Sequence, residues 1–163
     1  MDLSKLSRYE AYGAVASVLL VVSLLFIPWY DLEMNQLRVE DGDGFICGVG
    51  EFSCTGWETF PILRWFLLLA ALAPLILAYI VSRGNQLSWP PGEMTMLAGF
   101  IAFVLIFYNG VLDTPGSQLA EVGVSKQIGY YLALLASVGI AAAGIARATE
   151  SQGRTPRKTP GTV

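Results

Sequence analysis

The chain has 163 residues, 54% of them hydrophobic and only 14% charged, with a formal net charge of −3. Soluble domains carry about 25% charged residues, and the apolar residues here gather into four long runs, which excludes a soluble globular domain. Histidine is absent, which removes bis-histidine haem ligation, most zinc and copper sites and any triad with an imidazole base.

The first predicted span covers 11–30. Lys5 and Arg8 precede it, as in a signal peptide, but the apolar stretch Ala11 to Ile27 is longer than a signal core. Pro28-Trp29-Tyr30 follows where a small-residue cleavage site would stand. The segment reads as an uncleaved helix that Pro28 ends, with Trp29 and Tyr30 at headgroup level. The outer loop, 31–59, comes next. Gly50-Glu51 suits a two-residue turn that places Val49 opposite Phe52 and Cys47 opposite Cys54. In an oxidising compartment these two thiols are expected to form a structural disulfide, worth roughly 2.5 kcal/mol for so short a loop.

The second span covers 60–81, with a kink predicted at Pro74 and Trp65 in the aromatic belt. The third covers 94–112, after the helix-breaking turn Trp89-Pro90-Pro91-Gly92. The fourth covers 128–146 and is rich in Ala and Gly. Each is long enough to cross a hydrocarbon core of about 30 Å as a helix. Backbone groups in lipid must be satisfied within the segment, and the alternation of a membrane barrel is missing. The predicted fold is an all-α membrane protein: a four-transmembrane-helix bundle over 1–147 with a small disulfide-braced β-hairpin in the first outer loop. A disordered basic tail, 148–163, follows it.

Orientation is read from Lys and Arg. The side holding the N-terminus, the 82–93 turn and the tail carries Lys5, Arg8, Arg83, Arg147, Arg154, Arg157 and Lys158, against Arg38, Arg64 and Lys126 on the other. Both termini are therefore expected in the cytoplasm, the protein lying multi-pass in the plasma membrane. The outer side has three basic residues against nine acidic ones and is strongly acidic.

Polar residues near the spans are few. Arg64 lies one turn into the second span, and Asn109 and Asp113 lie one turn apart at the outer end of the third. An ionisable residue within a span is a functional candidate by default. Arg64 is shallow enough to snorkel, so a structural clamp with Asn109 and Asp113 is the reading here. Glu10 sits beside Arg8 and Tyr9 at the inner interface, and no acid or base falls at mid-membrane, which argues against a pump or coupled transporter. Ala133, Ser137 and Ala141, with Gly139 and Ala143, follow the four-residue small spacing that lets helices approach. It is read as packing within the bundle, with a homo-oligomer seam as the alternative. Asp41 and Asp43, flanked by Gly42 and Gly44, read as a solvated turn more readily than a weak Ca²⁺ site.

Three features together resemble known tetraspans: the Pro28-Trp29-Tyr30 exit, the cysteine pair in the first outer loop, and Thr55-Gly56-Trp57-Glu58 leading into the second span. The chain is similar over most of its length to small uncharacterised bacterial four-helix membrane proteins with a Gly-Trp-Glu step before the second span, a likeness that implies no activity. In topology it also resembles claudin-type tetraspans, whose first outer loop is β-structured and disulfide-bonded. There a Trp and a Gly-Leu-Trp step precede the cysteines, whereas Trp57 follows them here. Four-helix membrane thiol oxidases share the outline, but they use a Cys-x-x-Cys pair plus a second pair, and this chain has only Cys47 and Cys54.

These readings converge on a non-enzymatic multi-pass protein, an envelope scaffold or interaction protein working through its acidic outer loop. The alternatives are an accessory subunit of a membrane complex and, ranking lower, a small transporter or channel. No catalytic residue, cofactor, metal or nucleic acid is expected. The expected partners are the lipid bilayer and either another protein or a second copy.

Overall fold

A computed structural model describes residues 7–32, 53–83, 90–112 and 124–153. The described chain is mostly helical, with four helices long and apolar enough to cross a membrane and one small three-stranded sheet.

Helix α1 (Arg8–Phe26) opens on a capping box. Ser7 Oγ accepts from the Glu10 amide at 3.4 Å, and Glu10 Oε2 accepts from the Ser7 amide at 2.8 Å. The helix ends at Phe26 and not at Tyr30. The residue before a proline is pushed out of the helical region, and Ile27 is extended, with φ −106° and ψ 130°. The chain continues as strand β1 (Pro28–Leu32).

Strand β2 (Ser53–Thr55) and the single helical turn α2 (Gly56–Thr59) lead to α3 (Leu63–Ser82), which keeps Pro74 inside it. Helix α4 (Pro91–Phe107) passes into a π-helical turn at Tyr108–Leu112. Pro91 and Gly92, read from the sequence as part of a helix-breaking turn, belong to the first turn of α4. Proline at the first helical position forfeits only an amide that has no helical partner. Strand β3 (Val124–Lys126) precedes α5 (Ile128–Gly153), which runs past the predicted boundary at Ala146. Positions 148–153 are thus helix, not tail.

The described β structure is a sheet that joins distant segments; residues 45–52 of the hairpin expected within 45–57 lie outside the described residues. The described strand β2 pairs antiparallel with β1, and β3 pairs antiparallel with the other edge of β1. The sheet therefore joins the exit of the first long helix, the approach to the second and the approach to the fourth. Cys47 and the predicted partner segment lie outside the described residues.

Helix α5 packs most heavily on α4 and α1, and α3 lies against α4 and α1. Glycines bring α4 and α5 close. A Cβ on Gly99 would enter the backbone of Ala141, one on Gly144 the backbone of Met96, and one on Gly92 the backbone of Ala148. The small residues noted on α5 are used the same way: Ala133 and Ser137 are fully buried, Ala143 faces Gly13, and Gly139 faces Ala16. Leu20, Leu24, Leu67, Ala102, Ile106 and Ile140 fill the centre. The outer faces are apolar too, with Val15, Phe26, Leu69, Phe100 and Leu135 all exposed. Such a surface suits lipid and not water.

Candidate functional site

Polar and aromatic groups gather at the two ends of the bundle. At the sheet end, β1 is the central strand, and its pairing with β2 shifts register between Pro28 and Tyr30. An extra residue on one strand re-aims the side chains around it. Here that lets two consecutive residues, Trp29 at 1% exposure and Tyr30 at 0%, both enter the core. The expectation that they sit in an aromatic belt at headgroup level is thereby corrected. Trp29 meets Phe60 and Tyr130 edge-on at centroid distances of 6.3 and 6.2 Å, and Tyr30 meets Phe60 at 6.0 Å.

Hydrogen bonds lock this cluster to both neighbouring helices. Trp29 Nε1 donates to the Ser23 carbonyl at 3.0 Å and Oγ at 3.2 Å, and Ser23 Oγ donates to the Gly129 carbonyl at 2.6 Å. The Gln127 amide donates to the Trp29 carbonyl at 2.8 Å, and Gln127 Nε2 donates to Asp31 Oδ2 at 3.2 Å. Two glycines make room. A Cβ on Gly129 would stand 2.5 Å from the Pro28 carbonyl oxygen, and one on Gly110 would enter the Tyr130 ring. The π-helical turn holding Gly110 turns its bare backbone toward that ring, and Asn109 Nδ2 donates back to the Leu105 carbonyl at 2.9 Å.

The Thr55-Gly56-Trp57-Glu58 step has a physical account in this cluster. Glu58 Oε2 accepts from the Thr55 amide and hydroxyl, both at 2.9 Å, and so caps the turn. Gly56 lies beneath Trp29. The hydroxyls of Tyr30 and Tyr130 are buried with no hydrogen-bond partner among the described residues. Burial first, and the neighbouring Tyr130 second, push the Tyr30 phenol well above its ordinary value.

Arg64 stands beside this platform. Its guanidinium lies 4.8 Å from the centroid of Trp57 and 5.7 Å from that of Trp65, and Nη1 donates to the Trp57 carbonyl at 3.3 Å. The described contacts of Arg64 and Asn109 are thus with different groups, and Asp113 lies outside the described residues. Cys54 is fully buried on β2, in register with Tyr30.

At the opposite end, Glu10 and Arg147 form an ion pair across α1 and α5, with side chains 9% and 21% exposed. The sequence places Glu10 at the interface and counts Arg147 among the charges that follow the last span. The structure turns both inward. They line a void of about 10 Å³ together with Tyr9, Gly13 and Thr95. Among the described residues no group of three or more Cys, Asp or Glu gathers as a metal site would require. Sequence reasoning missed the Glu10–Arg147 pair, Ser23 and the sheet. The one local signal was the capping pattern from Ser7 to Glu10, which marks a helix start but not a partner far along the chain. No family profile, curated protein or solved structure matches this chain.

Proposed function

We propose that the protein is a non-enzymatic membrane scaffold that presents segment 33–52 outside the cell for contact with a partner protein bearing a basic surface. The sheet is the observation that carries this reading. Asp31 pairs with Ser53 across β1 and β2, so the segment leaves and re-enters the bundle at one fixed edge. That edge rests on the buried Trp29, Tyr30, Phe60 and Tyr130 cluster. The segment carries Glu33, Glu40, Asp41, Asp43 and Glu51 against the single basic Arg38. Charge of one sign selects partners of the other and speeds encounter.

A Cys47–Cys54 disulfide belongs to the same reading. Cys54 is fully buried beside the sheet, and no described cysteine is free. Both termini lie in the cytoplasm by the Lys and Arg distribution, which puts the sheet end outside.

Chemical cross-linking in intact cells, followed by purification in mild detergent, tests the proposal. Replacing 33–46 and 48–52 with Gly/Ser residues, Cys47 retained, is expected to abolish recovery of the cross-linked partner while the bundle still inserts and melts as before. Recovery unchanged by that replacement would sink the reading. A membrane-impermeant amine reagent is expected to reach Lys158 only after permeabilisation; labelling in sealed cells would reverse the orientation.

A further inference from the structure

Arg64 is the second residue of α3, a helix of 20 residues that is long and apolar enough to cross a membrane. A helix of that length matches the hydrocarbon core, so a side chain in its first turn reaches headgroup depth.

The positive charge there is not answered by any described group. Nη1 donates to the Trp57 carbonyl at 3.3 Å, and Nε is buried with no hydrogen-bond partner among the described residues. No described carboxylate forms an ion pair with Arg64. Glu58, the nearest acid in the sequence, is already engaged: its Oε2 accepts from the Thr55 amide and hydroxyl. The indoles of Trp57 and Trp65 meet edge-on with centroids 5.3 Å apart, and the guanidinium lies 4.8 and 5.7 Å from them. These rings hold and shield the cation without neutralising it. Ile62, just before the helix, gives the helix end no side-chain cap, so the backbone adds roughly half a positive charge beside the arginine.

Charge, geometry and depth select one ligand chemistry. A planar guanidinium presents parallel donors that match two oxygens of a phosphate. Ile62, Trp65 and Phe66 are exposed around the same end of the helix, an apolar rim that suits acyl chains better than a hydrated free ion. We infer that Arg64 is a phosphate site that holds the phosphodiester of one membrane lipid at the sheet end of the bundle, its chains lying along Ile62, Trp65 and Phe66. The inference is independent of the scaffold reading, since it concerns the start of α3 and needs no partner protein.

Native mass spectrometry of the full chain in dodecyl maltoside, titrated with dioleoyl phosphatidylcholine, tests it. That lipid carries the phosphodiester without net headgroup charge, so retention reports the phosphate and not a general attraction for anions. Dioleoylglycerol, which has the chains and no phosphate, is expected to be retained about tenfold less, and Arg64→Gln is expected to cut phosphatidylcholine retention by about the same factor. Millimolar inorganic phosphate is expected not to displace the lipid. Should Arg64→Gln fail to fold, Ile62→Asp at an exposed position sets a carboxylate at the same helix end and is expected to weaken retention several-fold. Asp113→Asn is expected to leave retention unchanged. Equal retention of dioleoylglycerol, or retention unaffected by the Arg64 and Ile62 variants, would overturn the inference. So would displacement by inorganic phosphate, which assigns the site to a free ion, or a several-fold rise in Asp113→Asn, which assigns the arginine to that carboxylate.

Discussion

Gly56 lies flat against the indole of Trp29: a Cβ built at position 56 would stand 2.7 Å from two carbons of the ring. Neither side can give way. Gly56 belongs to a turn capped by Thr55 and Glu58. Trp29 is held from below by Ser23 and flanked by Phe60 and Tyr130. The contact is the point where the approach to α3 is fastened to the exit of α1.

Gly56→Ala is therefore expected to destabilise the protein by about 2 kcal/mol through overpacking. Thermal unfolding in detergent, followed by tryptophan fluorescence, checks it. Because both residues share one space, the double variant with Trp29→Phe is expected to lose less than the sum of the two single losses. Strict additivity would show that the contact is not the cause.

Tyr30→Phe is expected to leave stability unchanged or raise it by up to about 1 kcal/mol, because the buried hydroxyl has no partner to lose among the described residues. The same residue gives a pH dependence with a definite sign. The folded state raises the Tyr30 phenol above its unfolded value of about 10. Its contribution to stability is thus complete below about pH 10 and is lost as pH rises beyond it. Alkaline melting curves are expected to fall more steeply for the wild type than for Tyr30→Phe. An ultraviolet titration of phenolate is expected to show one fewer late-titrating tyrosine in the variant.

Two glycines on the bundle helices are expected to behave differently. Gly99→Ala drives a methyl into the backbone of Ala141 and is expected to cost about 3 kcal/mol, since two helices must separate. Gly139→Ala meets only the Cβ of Ala16, at 3.3 Å. There the gain in helix propensity of up to about 1 kcal/mol offsets the crowding, for a net change near zero. Denaturation by sodium dodecyl sulfate ranks the two.

Glu10→Gln and Arg147→Gln each strand one member of a mostly buried ion pair, and each is expected to destabilise by about 3 kcal/mol. Converting both removes the stranded charge, so the double variant is expected to lie closer to the wild type than either single variant predicts. Glu10→Gln carries a further small loss, because an acid in the first turn favours the helix dipole. Melting temperatures of the four proteins complete the cycle.

Local patterns carried the bundle. Long apolar runs and the charge-poor composition are properties of neighbouring residues, and they sufficed for four spans and their order. Helix boundaries drifted where proline chemistry or a distant contact intervened. Ile27 left the helix because of Pro28, Pro91 was tolerated at the first helical position, and α5 continued to Gly153 beyond Arg147, where Glu10 and Gly92 meet it.

What the sequence determined by itself is four helices long and apolar enough to cross a membrane, because an unbroken apolar stretch in lipid has only one way to satisfy its backbone. What the tertiary structure alone decided is which ends meet. Trp29 and Tyr30 could equally have faced lipid headgroups, and nothing adjacent to them announces a strand at 53–55 or 124–126. Burial followed only when β1 found partners on both edges and Gly56, Gly110 and Gly129 left space for the rings. The Glu10–Arg147 pair is the same lesson at the other end. Two charges that read separately as interfacial become an internal link because α1 and α5 pack side by side.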